Sequence, residues 1–261
     1  KDEESFQKAI DAFKKADTIE FTDYITNEEA LILQKLKEKY GYKLINQSAS
    51  RYKEFVDSFT EASGVSLYNG CKKDITEAQA IVVFGTAIKS EYPVARHLIN
   101  NTLKTSKGSI LGYFHPNRDE MIEGLSKGVS GFTPKNGVEE SVTLLLLDMM
   151  CNRESLIQDI KDLLSKYDIK KTKTVSKTIK EKIKVVEKDE NGAEQEIEKE
   201  VDKKIDEEIE YLSSALIEEC GFDEEMFLSF KENFTSKESQ VLIVGPDLYS
   251  HPKASNIAKI L

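Results

Sequence analysis

Few groups in this chain could do chemistry, and their spacing limits what that chemistry could be. The histidines are His97, His115 and His251, and the cysteines are Cys71, Cys151 and Cys220. No histidine stands in an HExxH segment or beside a spaced Cys/His set, and no two cysteines form a CxxC pair, so these residues do not compose a zinc site. The sequence has no GxSxG elbow, no GxGxxG fingerprint and no P-loop. His97 reads as a helix-face residue, whereas His115 and His251 fall near the ends of predicted strands. Nothing beside Cys71 in YNGCKKD marks it as a nucleophile, and the many Asp/Glu pairs read as solvated helix faces, so no general acid–base pair can be named.

What does stand out is a pattern written twice. IVVFGTAIKSEYPVARHLIN, residues 81–100, and VLIVGPDLYSHPKASNIAKI, residues 241–260, each run four apolar residues into a glycine. Ser90 and Ser250 lie five residues beyond Gly85 and Gly245, and Pro93 and Pro252 then open a segment carrying Ala95/Leu98 or Ala254/Ile257. A parallel strand followed by a sharp turn favours glycine, because a Cβ would block the turn or a close backbone approach, and proline is tolerated in the first turn of a helix. Gly85 and Gly245 are therefore either two plain strand–helix corners or part of a ligand site, and His115 and His251 fall near predicted strand ends.

The elements that would position them follow from periodicity. SFQKAIDAFKKA (5–16) has helical spacing, and TIEFTDY (18–24) alternates like a strand. Thr26 and Glu29 form a capping box for a helix that stops at Gly41, KLIN (43–46) is a short strand, and residues 51–63 are helical. The IVVF run suits a strand buried on both faces. A helix from Val94 to about Leu103, the strand SILGYF, a helix around MIEGL, the strand SGFTP and a helix from about Val138 to Tyr167 follow. Strands alternating with helices predict an α/β fold with a doubly wound, mostly parallel sheet, in which ligands sit beyond the carboxyl ends of the strands. The expected division is a Rossmann-like unit over 1–167, a charged hairpin arm over 168–205, and helices plus a second strand–helix unit over 206–261.

The arm has its own composition. Lys170 to Lys184 holds seven lysines and one acid, and Glu194 to Glu210 holds nine acids and three lysines. Val175, Ile179, Ile183 and Val185 suit a strand, and Asn191-Gly192 is a strong turn signal, so a two-stranded ribbon is expected. A helical hairpin competes, because Ile197, Val201, Ile205 and Ile209 are spaced at i, i+4; the second limb is expected to turn helical by Ile205. An isolated ribbon is marginal in water, so the arm either packs on a neighbour or is a solvated charged excursion.

Composition narrows the partners. The 37 Lys+Arg against 47 Asp+Glu give a net charge of −10, which disfavours nucleic acid. The run Leu144–Leu147 is far short of the roughly 20 apolar residues that span a bilayer, so no membrane insertion is expected. Three scattered cysteines suit a reduced, cytoplasmic compartment. A first residue Lys1 and a last residue inside a helical pattern suggest a piece of something longer.

The order of TNEEALILQKL, DITEAQAIVVFGTAIKSEYPVARHLI, GSILGYFHPNR and GFTPKNGVEESVTLLLLDMM resembles the molybdopterin oxidoreductase family, and more narrowly the large iron–sulfur G subunit of bacterial NADH-quinone oxidoreductase, respiratory complex I. GPDLYSHPKASNIAKIL is similar to a further segment of that subunit, while the charged arm is outside the likeness. In catalytic members of the family the strand ends bind a molybdenum–pterin–guanine dinucleotide. The motifs of those members are replaced here by Gly85-Thr86-Ala87, His115-Pro116-Asn117-Arg118 and Pro134-Lys135-Asn136-Gly137, and Lys53 stands where a metal-ligating cysteine is often found. Lysine cannot be a thiolate ligand.

The resemblance thus implies a vestigial crevice at Gly85, Thr86, His115 and Gly245, with no catalytic residues, no metal and no molybdopterin. It implies a structural domain of NADH dehydrogenase that supports electron transport without activity of its own. Iron–sulfur clusters would lie in an N-terminal part beyond this chain, and the partners would be other peripheral-arm subunits on the cytoplasmic side of the membrane. Two alternatives stay open: a domain that still binds molybdopterin guanine dinucleotide, and an unrelated small-molecule-binding α/β domain.

Overall fold

A computed structural model of the chain describes residues 2–66, 70–188 and 194–261, and the side chains of those outside 175–207. The elements run α1 (Glu3–Lys15), β1 (Thr18–Glu20), α2 (Asn27–Tyr40), β2 (Lys43–Ile45), α3 (Gln47–Ser63), α4 (Lys72–Glu77), β3 (Ala80–Phe84), α5 (Ile88–Glu91) and α6 (Pro93–Thr105). They continue with β4 (Ile110–Phe114), α7 (Glu120–Glu123), β5 (Val129–Phe132), α8 (Glu139–Met150), a 3-10 turn (Arg153–Ser155), α9 (Gln158–Ser165), β6 (Asp168–Lys188) and β7 (Glu194–Ser214). The chain closes with α10 (Ala215–Cys220), α11 (Glu224–Thr235), β8 (Gln240–Val244), α12 (Pro246–Ser250) and α13 (Ala254–Ile260).

The central sheet is parallel, in the order β5-β4-β3-β8, so the α/β class read from the sequence holds. β3 is buried along its whole length because alternate residues feed two cores. Ala80, Val82 and Phe84 pack in a core with Phe55 of α3, Leu145 of α8, Phe230 of α11, Leu248 of α12 and Ile257 of α13. Ile81 and Val83 pack in a second core with Ile88 of α5, Ile99 and Leu103 of α6, and Ile122 of α7. From β3 the chain winds through β4 to β5 on one side, while β8 pairs with β3 on the other, Val82 opposite Leu242. The strand order therefore reverses between β3 and β8, and their carboxyl ends form the topological switch point.

The N-terminal segment is built differently. β1 and β2 form a separate two-stranded parallel pair linked through α2, which Thr26 and Glu29 cap and Gly41 ends in the left-handed region at φ 73°. Not one described residue from Asp2 to Glu54 is buried.

Two expectations are corrected. The helix expected from Val138 to Tyr167 is broken: Cys151 is extended, and the Asn152 side chain accepts from the Glu154 N–H to cap a 3-10 turn before α9 starts. A short amide competing for backbone N–H groups ends the helix where apolar spacing alone would carry it on. The second limb of the arm does not turn helical at Ile205. It stays in β7 to Ser214, because its last ten residues pair with the opening of β6, Ile205 opposite Lys177 and Ser214 opposite Asp168. Cross-strand pairing overrides the i, i+4 spacing of its isoleucines. The Asn191-Gly192 turn lies outside the described residues.

Candidate functional site

The two glycines stand side by side at the switch point and lock together. Gly85 has φ +70°, a left-handed conformation that a side chain rarely adopts, and a Cβ there would lie 2.7 Å from Cγ of the fully buried Leu248. Gly245 is extended, at φ −111° and ψ 176°, so conformation does not demand glycine. Space does: a Cβ at Gly245 would sit 2.2 Å from both the Gly85 carbonyl oxygen and Thr86 Cβ. The Gly245 N–H donates to the Phe84 carbonyl at 2.9 Å, and the Asp247 N–H donates to the Gly85 carbonyl at 3.0 Å. The backbone groups that face a ligand in an open crevice here face each other.

Side chains complete the closure. Thr86 is fully buried, and its hydroxyl donates to Glu91 Oε2 at 2.5 Å, the same oxygen that accepts from the Ala87 N–H at 3.1 Å. The Tyr113 hydroxyl, at the end of β4, donates to the Thr86 carbonyl at 3.1 Å. His115, also buried, places Nε2 at 3.5 Å from Asp247 Oδ2, while its Nδ1 lies against the backbone of Asn117. On the α12–α13 side, His251 Nε2 is 3.2 Å from Glu139 Oε2, and Lys253 is tied to Glu140.

Acidic side chains act on one another at the joint. Burial, then the charge of Glu91, raises the Asp247 carboxyl above its ordinary range, with His115 pulling the other way and Glu139 adding to the rise. Burial, followed by Asp119, Asp247 and Glu91, pushes the Tyr113 hydroxyl up to about 12. Among the described residues no group of three or more His, Cys, Asp or Glu is arranged to hold a metal ion. A molybdopterin or other dinucleotide carries phosphates, which need free N–H donors and cations. The Ala87 and Asp247 N–H groups are used internally, and Glu91, Glu139 and Asp247 gather where such phosphates would sit, so the residues present fit such a group poorly.

The fold thus brings together Gly85, Thr86, Gly245 and His115 as the sequence suggested, and adds Glu91, Tyr113, Glu139 and Asp247. Glu91 was legible in principle, five residues after a threonine that follows a strand glycine; Tyr113 and Glu139 reach the joint only through tertiary packing. The other candidates lie apart. His97, on α6, contacts Asn101. Lys53 is exposed on α3 and pairs with Asp57. Lys135 donates to the Glu218 carbonyl at 3.0 Å. Cys71 and Cys151 are exposed thiols, and Cys220 is buried, its thiol pushed up to about 12 mainly by burial. No helix among the described residues is long and apolar enough to cross a membrane.

The class defined by this architecture is an α/β domain with a parallel sheet and a closed switch point. Comparison with protein-family models finds none that matches the chain, and comparison with curated proteins finds no match.

Proposed function

We propose that the chain is a non-catalytic structural domain of the G subunit of NADH-quinone oxidoreductase, bracing the peripheral arm of that enzyme through contacts with neighbouring subunits. The observation that carries the non-catalytic part is the Gly85–Gly245 interlock: it occupies the position where a cofactor-binding α/β domain opens its crevice, and acids surround it. The likeness of the strand-end segments to that subunit supports the assignment. A ribbon of 21 residues per limb supplies surface for contacts of the bracing kind.

Two measurements test the reading. Elemental analysis and absorbance of the purified chain are expected to show no stoichiometric molybdenum and no visible charge-transfer band; about one molybdenum per chain overturns the non-catalytic reading. Gel filtration of the chain with isolated peripheral-arm subunits of the same source is expected to give co-elution that is lost when residues 170–204 are replaced by a short Gly/Ser bridge. Independent elution of the intact chain overturns the bracing role.

A further inference from the structure

The long ribbon leaves the body at one point. Its two limbs meet there through the Ala215 N–H, which donates to the Tyr167 carbonyl at 2.7 Å. Side chains alternate between the faces of a strand, so the register places Asp168 and Ser214 on one face of the ribbon root and Lys171, Ser213 and Tyr211 on the other.

Each face carries its own polar fastener. On the first, Arg153 grips Asp168 with two parallel bonds, Nη1–Oδ2 at 2.8 Å and Nη2–Oδ1 at 2.9 Å. Its Nε also reaches the buried Asp148, which accepts from Lys231 Nζ at 3.0 Å. Burial alone would raise the Asp148 carboxyl, but the Arg153 hydrogen bond and Lys231 hold it below the usual range. On the second face, Glu224 at the start of α11 accepts from Lys171 Nζ at 2.6 Å and from the Ser213 hydroxyl. Leu216, Ile217 and Tyr167 anchor the root to the main core, but grooves flank the limbs themselves. A cavity of about 420 Å³ lies beside Asp148, Arg153, Asp168 and Lys231, and another of about 340 Å³ beside Ile169, Lys171 and Glu224.

We propose that Arg153 and Glu224 are positioning residues of a two-sided lock: each holds one face of the ribbon root, and together they fix the angle at which the ribbon leaves the α/β body. Bidentate and charge-assisted bonds impose direction, which apolar contacts across a cavity would not. Loss of one fastener frees the root to tilt away from that side; loss of both frees it in both directions. The inference rests on the bracing reading only for its purpose, not for its test.

The test is a distance measurement. In the chain carrying Cys71→Ser and Cys151→Ser, spin labels are placed at Thr178→Cys on the ribbon and Asn233→Cys on α11, and read by double electron–electron resonance. The parent is expected to give one narrow distance distribution. Arg153→Gln and Glu224→Gln are each expected to broaden it, with their means displaced in opposite senses, and the double variant to be broadest, with near-ultraviolet circular dichroism unchanged. A parent distribution already as broad as the double variant's, or a double variant as narrow as the parent, overturns the lock. Should a variant fail to fold, Asp168→Asn and Lys171→Gln, which remove the ribbon's own partners of Arg153 and Glu224, are measured in its place. Broadening supports the lock, and an unchanged distribution overturns it. A failure of subunit co-elution would bear on bracing alone and leave these distances untouched.

Discussion

The two strand–glycine corners share a sequence pattern and differ in what they need from it. Gly85 satisfies a conformational demand, a positive φ, and meets only the side chain of Leu248. Gly245 satisfies a spatial demand, and what it meets is the backbone of the first corner. A flexible leucine can move by a few tenths of an ångström; a carbonyl already bonded to the Asp247 N–H cannot. Even the prolines diverge. Pro93 is the first residue of α6, but Pro252 stands two residues before α13, and it is Pro246 that opens a helix, immediately after the glycine. Similar words on adjacent strands therefore encode a socket and the plug that fills it.

Breaking the plug should cost most. Gly245→Ala is expected to destabilise the fold by about 4 kcal/mol or more in a urea titration, at the exceptional end for a single substitution because backbone must move. A loss under about 1 kcal/mol would mean that the corners can part. Leu248→Ala, which empties a fully buried site at the same joint, should cost about 3 kcal/mol. Gly85→Ala should cost less, about 2 kcal/mol, from left-handed strain plus a yielding contact. Combining it with Leu248→Ala should give a total below the sum by about 1 kcal/mol, because the smaller side chain makes room for the new methyl. Strict additivity would place the whole cost of Gly85→Ala in its backbone conformation.

The smallest effect should have the opposite sign. The Asp247 carboxyl is raised in the fold, so the folded state holds a proton more readily than the unfolded chain does. Its charged form therefore weakens the joint as pH rises through the folded value. Asp247→Asn is expected to raise the melting temperature near neutral pH, with the gain shrinking as pH falls from the raised folded value towards the ordinary carboxylate value and absent below it. A variant less stable than the parent at neutral pH would show that the contact with His115 outweighs burial and the repulsion from Glu91.

Local signals carried much of the fold. Thr26, Glu29 and Gly41 bounded α2 because capping is written within one turn of sequence, and the run before Gly85 announced a strand covered on both faces. What failed depended on distant partners. Ile205 and Ile209 look helical until Asp168–Lys177 is laid alongside them, and Asn152 breaks a helix that Leu144–Leu147 would continue. The candidate site was half legible: its glycines could be read, while the acids that set its charge come from α5, α8 and α12, which only the folded sheet brings to one end.

Length turns the ribbon root into a matter of angular tolerance. A limb of 21 residues extends about 70 Å at the usual rise of a strand, so a swing of only about 10° at the root displaces the far end by about 12 Å. A contact made there can keep its register only if the base is aimed to within a few degrees. The accuracy of any encounter far from the α/β body would thus be decided by a handful of bonds beside Asp168 and Lys171, much as the pivot of a crane decides where its hook hangs.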